Sequence, residues 1–216
     1  MDEMRAAGVR LRWHEIDGPL GMWVPVRPDD LLDDLDEAAY EATDECIPYF
    51  GVLWPSGEAL ARHVLDAGGD LDGLDVLDLG CGVGAVGLAA MLRGARVTFL
   101  DWEPRALEFV RRSAERLGGE PAALVCGDWR DPDVVGAFDR VLAADVFYES
   151  RNIAPVASFL AAHLAPGGEA LLADPGRPEA EAFPDAAREA GLDLHPAVRL
   201  PYRPQQVRVD LWRVRR

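Results

Sequence analysis

An apolar run passes straight into glycines at alternate positions in Val76-Leu77-Asp78-Leu79-Gly80-Cys81-Gly82-Val83-Gly84. The run has the length of a buried strand, and the glycines allow a sharp turn and close approach of the backbone to a ligand. A helix that starts after such a loop offers its free N–H groups at the same point. Strand, loop and helix in this order specify a parallel sheet covered by helices, because parallel strands need crossover connections.

The rest of the chain repeats that alternation. Short β-like runs are expected at Asp75 to Leu79, Arg96 to Leu100, Ala122 to Cys126, Arg140 to Ala144 and Glu169 to Ala173. Between them, Leu107, Val110, Ala114 and Leu117 recur at helical spacing, as do Ile153, Val156, Leu160 and Leu164. Gly118-Gly119 and Pro166-Gly167-Gly168 are stop signals. A last helix is expected near Pro178 to Ala190, and Gln206 to Val214 alternates apolar with charged residues as an added antiparallel strand would. The fold class is therefore α/β, a Rossmann-like, mostly parallel sheet with helices on both faces. Ahead of it, Arg10 to Ile16 and Met22 to Arg27 predict a hairpin, Asp29 to Thr43 an acidic helix, and Leu60, Val64 and Ala67 a helix after Ser56. Residues 1–55 read as an N-terminal appendage packed on a single domain, 56–216.

Charge and cysteine usage narrow the setting. A net charge of -16 disfavours nucleic acid as a partner, since phosphate binding rests on basic surface. Apolar runs are too short for a membrane span, and Met1-Asp2-Glu3-Met4-Arg5 lacks the layout of a secretory signal, so a cytoplasmic protein is expected. Cys46, Cys81 and Cys126 are widely spaced without a C-x-x-C pair, and the four histidines lack metal-ligand spacing; no metal is expected.

The glycine loop alone leaves two ligands open. Gly82-x-Gly84-x-x-Gly87 is formally a dinucleotide fingerprint. Asp78, however, would repel a pyrophosphate from the strand end, whereas it would attract an ammonium and favour a sulfonium. Asp101, about 20 residues past the first glycine, is where a carboxylate accepts from both ribose hydroxyls. Asp128 in Cys126-Gly127-Asp128-Trp129 is a further carboxylate for an adenine amino group, and Trp102 and Trp129 offer stacking surfaces.

This arrangement resembles the class I, seven-strand S-adenosylmethionine-dependent methyltransferases, from about Ser56 to the C-terminus. The resemblance implies sheet order 3-2-1-4-5-7-6 with strand 7 antiparallel. It also implies a cofactor site of Trp54, Asp78, Gly80, Cys81, Gly82, Gly84, Asp101, Trp102, Asp128, Trp129 and Ala144. Asp145-Val146-Phe147-Tyr148 after the fourth strand looks like the D/E-x-x-Y/F motif of the seven-strand protein lysine methyltransferases, and Tyr49 to Gly57 resembles their aromatic-Trp-Pro segment. Ala173-Asp174-Pro175-Gly176-Arg177-Pro178 is similar to the electron-transfer-flavoprotein β-subunit lysine methyltransferases.

Under that resemblance Asp145 and Tyr148 are the catalytic pair, and Arg177 joins them in substrate binding. A lysine acceptor has to lose a proton first, over roughly 3 to 4 pK units at about 1.4 kcal/mol each. Asp145 would orient the arriving ammonium and Tyr148 would help exclude water. The expected function is N-methylation of a protein lysine, with the electron-transfer flavoprotein β-subunit as the leading partner. The alternatives are a small-molecule N- or O-methyltransferase, a non-catalytic S-adenosylmethionine-binding module and, least favoured, a dehydrogenase.

Overall fold

The computed structural model describes residues 2–32, 49–67, 70–200 and 209–216. Three antiparallel strands come first: β1 (Glu3–Ala6), β2 (Val9–Asp17) and β3 (Leu20–Pro25). After a 3-10 turn at Pro28–Leu31 and another at Tyr49–Gly51, α1 (Pro55–Ala67) leads into the core. There follow β4 (Asp75–Leu79), α2 (Ala85–Leu92), β5 (Arg96–Asp101), α3 (Pro104–Leu117) and β6 (Ala123–Cys126). The chain continues through β7 (Phe138–Ala144), α4 (Ile153–His163), β8 (Leu164–Asp174), α5 (Phe183–Glu189), β9 (Asp193–Leu200) and β10 (Val209–Arg215).

The seven core strands lie in the order β6-β5-β4-β7-β8-β10-β9. Neighbours pair parallel from β6 to β8, and β10 runs antiparallel to both β8 and β9. Numbered from β4 as the first core strand, this is the expected order with its seventh strand reversed. Alternation along β4 divides the core: Val76 belongs to the cluster with α2 and α3, while Leu77 and Leu79 belong to the one with α4 and α5.

Local chemistry sets the helix ends. Before α3, Glu103 accepts a hydrogen bond from the Arg105 N–H and Pro104 occupies the first turn; Gly118 closes the helix in the left-handed region at φ 75°. Leu107, Phe109, Val110 and Ala114 face inward, and the outer face is laced by Glu108 with Arg111 and Arg112. The front sheet docks on this helix: the Trp23 N–H donates to Ser113 Oγ at 2.9 Å, and the Arg116 guanidinium lies 4.3 Å over Trp13.

Several sequence expectations need correction. Pro166-Gly167-Gly168, expected as a stop signal ahead of the strand, lies inside β8, where Gly167 at φ 78° falls within an irregularity between the Phe138 and Arg140 pairings. Leu164 is extended and opens β8 rather than ending α4. The hairpin gains β1 as a third strand, and β9, the sixth strand of the order that the resemblance implies, was given no residues by the local pattern; it lies at the sheet edge. Most of the acidic helix expected over Asp29 to Thr43, and residues 206–208 of the last strand, fall outside the described residues.

Candidate active site

The C-terminal ends of β4, β5, β7 and β8 open into one cavity of about 300 Å³, the place where open α/β sheets take ligands. The glycine loop forms its floor. Gly80, Gly82 and Gly84 all have positive φ, at 65°, 52° and 81°. A Cβ on Gly82 would sit 3.1 Å from the Phe50 carbonyl oxygen, so glycine lets the front segment close onto the loop.

Asp78 and Asp101 hold this loop from below. Asp78 Oδ2 accepts from the Gly87 N–H at 2.8 Å, which ties β4 to the first turns of α2. Burial pushes its carboxyl up to about 8. Asp101 accepts from Gly82 N–H at 2.8 Å and from Glu103 N–H at 3.0 Å, and burial pushes it up to about 6. Both carboxylates line the cavity, and each oxygen has a lone pair beyond those already used. The third glycine of the formal dinucleotide fingerprint has a packing reason: a Cβ on Gly87 would lie 2.3 Å from the Phe99 ring.

The other end of the cavity is built on Asp145. It follows β7 in a left-handed conformation, φ 58°, which carries a strain cost for a residue with a side chain. Its backbone N–H donates to the Ala173 carbonyl, its Oδ2 accepts from the Ser56 hydroxyl at 3.1 Å, and its Oδ1 accepts from Arg177 Nε at 2.6 Å. Arg177 reaches it from the turn after β8, where the buried Asp174 accepts the backbone N–H groups of Gly176 and Arg177, both at 2.7 Å. The Arg177 guanidinium also lies 5.7 Å from the centre of the Trp54 ring. Tyr49 joins Trp54 and Tyr148 in an aromatic wall, with ring centres 5.9 and 5.7 Å away.

Most of the residues named from sequence meet here. Trp54, Asp78, Gly80, Cys81, Gly82, Asp101, Trp102, Trp129, Ala144, Asp145, Tyr148 and Arg177 all line the cavity. Asp128 and Gly84 do not. The Asp128 carboxylate is exposed and engaged by Arg130, through its N–H at 2.8 Å and its guanidinium at 3.1 Å. Gly84 lies beneath the loop, where a Cβ would stand 2.6 Å from Val110 Cγ2. The Arg177 side chain pairs with Asp145, while its backbone N–H donates to Asp174. Sequence reasoning missed Ser56, Phe50 and Glu149; Tyr49 and Phe50 stood in the aromatic-Trp-Pro segment, but nothing local marked Ser56 as more than a helix start.

The chain has relatives that share this core. Residues 76–168 match the family model described as a methyltransferase domain. Over that stretch the core is similar to methyltransferase domains. The mouse electron transfer flavoprotein beta subunit lysine methyltransferase is 31% identical over 134 residues, covering 61% of this chain and 52% of the relative. A ribosomal protein L11 methyltransferase from Chromohalobacter salexigens is 39% identical over 148 residues, covering 67% of this chain and 47% of its own length. The chain thus spans about half the length of these curated relatives. Among solved structures, the magnesium protoporphyrin IX methyltransferase of Synechocystis with bound SAM superposes with a TM-score of 0.62 at 21% identity, covering 75% of this chain and 80% of that one. At that identity the likeness concerns the fold.

The cavity lining fits S-adenosylmethionine on chemical grounds. The loop offers backbone without side chains at Gly80 and Gly82, two carboxylates for cationic and hydroxyl groups, and indole surfaces from Trp102 and Trp129. No helix among the described residues is long and apolar enough to cross a membrane.

Proposed function

We propose that this chain is an S-adenosylmethionine-dependent N-methyltransferase that modifies lysine in a protein, with the electron-transfer flavoprotein β-subunit as the leading target. The observation that carries this reading is that Asp145 and Tyr148 line the same cavity as the glycine loop, flanked by the aromatic wall. Similarity to lysine methyltransferases of the flavoprotein β-subunit, and to METTL21A of Danio rerio at 33% identity over 128 residues, supports lysine as the acceptor.

Asp78, Gly80, Cys81, Gly82, Asp101, Trp102, Trp129, Trp54 and Ala144 are the residues proposed to hold the cofactor. Bound there, S-adenosylmethionine supplies an electrophilic methyl group carried on a sulfonium. The chain's own part is then orientation and desolvation. Asp145 holds the acceptor amine by charge and hydrogen bonding, and its own direction is set by Ser56 and Arg177. Tyr148, Tyr49 and Trp54 keep water from the amine, which favours its neutral, nucleophilic form. The segment before Pro55 acts as an appendage that supplies Tyr49, Phe50 and Trp54 to this wall. The free cysteines Cys81 and Cys126 suit a reducing compartment, and the cytoplasm is the one we propose.

Incubation with methyl-labelled cofactor and host lysate tests the reading. Label recovered in protein supports it, whereas label confined to small molecules favours a small-molecule methyltransferase. Tight cofactor binding without turnover on any extract would point to a non-catalytic module.

A further inference from the structure

We propose that Arg177 is a specificity residue that binds a carboxylate of the acceptor, so that the lysine modified lies beside an aspartate or glutamate in the target. This rests on the protein-lysine reading above.

Three observations converge on Arg177. It is the one cation among the described residues that line the cavity, against the carboxylates of Asp78, Asp101, Asp145 and Glu149. Among the described residues its guanidinium hydrogen-bonds through Nε, to Asp145 at 2.6 Å, with the carboxylates of Asp174 and Glu179 also acting on its charge, so its terminal amino groups are left to face a ligand. Trp54 lies 5.7 Å from the guanidinium carbon, and the side chain is about 29% exposed, so the group is braced at the opening rather than free to sweep through solvent. A guanidinium fixed through Nε keeps two parallel N–H donors of the geometry that a carboxylate accepts.

Its position in the sheet assigns that carboxylate to the acceptor. Asp101 ends β5, Asp78 lies in β4, Asp145 follows β7 and Arg177 follows β8, in the order in which the strands stand. Arg177 is therefore at the far side of Asp145 from the two carboxylates proposed to hold the cofactor. Asp145 and Arg177 together present a minus and a plus charge side by side. Their complement is an ammonium with a carboxylate next to it, which a lysine with an acidic neighbour supplies.

The test uses peptides that carry one lysine and a single glutamate placed in turn at each of the three positions on either side, each matched by its glutamine analogue. Methyl transfer from labelled cofactor is measured with the wild-type protein, R177Q and R177K. The wild type should favour glutamate over glutamine at one or two positions by about tenfold in kcat/KM, the size of one charge-assisted hydrogen bond. In R177Q that ratio should fall to about one. R177K, which keeps the charge but not the fork, should lie between them and guards against misfolding of R177Q. Equal ratios in wild type and R177Q, or no acidic preference at any position, would overturn the proposal. A further measurement is calorimetric binding of S-adenosylhomocysteine. A tenfold loss of affinity in R177Q would assign Arg177 to the cofactor carboxylate and overturn the acceptor role. If wild type labels no peptide yet labels lysine in intact protein, the same ratio is read by replacing acidic neighbours of the mapped lysine with amides; if it labels no lysine anywhere, the lysine reading fails and takes this proposal with it.

Discussion

Ser56 donates its hydroxyl to Asp145 across 3.1 Å, joining residues 89 positions apart. Ser56 is in the first turn of α1 and fully buried, and Asp145 sits in the left-handed turn that ends β7. The bond therefore ties the helix that follows the aromatic wall to the carboxylate proposed to orient the acceptor. In S56A one Asp145 oxygen loses its partner in a buried setting, at a cost of about 1–3 kcal/mol. Urea unfolding should show that loss, and kcat should fall more than cofactor affinity does.

Replacing Asp145 separates charge from shape. Asparagine tolerates the left-handed conformation, so D145N should fold and keep its affinity for S-adenosylhomocysteine. It leaves the Arg177 guanidinium without its anion and the acceptor without its own. Loss of one partner in a desolvated charge pair costs about 2–5 kcal/mol, so kcat/KM should fall by roughly 30-fold or more. Steady-state kinetics with calorimetry as the control checks both halves.

Cofactor affinity should depend on pH through Asp78. In the free protein burial pushes this carboxyl up to about 8 from an ordinary value of 3.8. The sign is that of a raised carboxyl: the empty protein is most stable below the ordinary value, and loses that contribution as pH rises through about 8. A cation bound beside Asp78 favours the ionised form, so binding below that pH releases a proton. The affinity for S-adenosylhomocysteine should therefore rise from pH 6 to pH 8 by up to about tenfold per unit, then level off above about 8, where Asp78 is already ionised in the empty protein. Calorimetry in buffers of different ionisation enthalpy measures the released proton directly. In D78N the release should vanish and the affinity should weaken.

Much of the fold could be read from the chain because its signals are local. The apolar run Asp75–Leu79, the spacing of Leu107, Val110 and Ala114, and the alternation before Val214 each report a neighbour a few residues away. What escaped was set by distant partners. The pairing of Arg177 with Asp145 arises because β7 and β8 are adjacent and end side by side, a fact of topology rather than of spacing. Asp128 was placed by its neighbours alone, and it stands outside the cavity lining, where Arg130, two residues on, pairs with its carboxylate. Gly84 was read as part of the ligand cradle, yet its missing side chain makes room for Val110.

That packing gives a stability test away from the chemistry. G84A would put a side chain on a residue at φ 81° and press it to 2.6 Å from Val110 Cγ2. The backbone cost alone is about 1–2 kcal/mol. G84A should be destabilised by more than this in urea unfolding, and adding V110A should offset the steric part, so that the double variant loses less than the two single losses combined.

These 216 residues contain arginine but no lysine, so any methyl-lysine formed in a purified reaction belongs to the partner. The most direct measurement is mass spectrometry of purified electron-transfer flavoprotein β-subunit after incubation with the enzyme and isotopically labelled S-adenosylmethionine. Labelled methyl groups are expected on the ε-amine of a lysine, formed by the wild-type protein and at least 30-fold more slowly by D145N. Methyl groups on a different type of side chain, or wild-type enzyme that transfers label only to small molecules, would contradict that expectation.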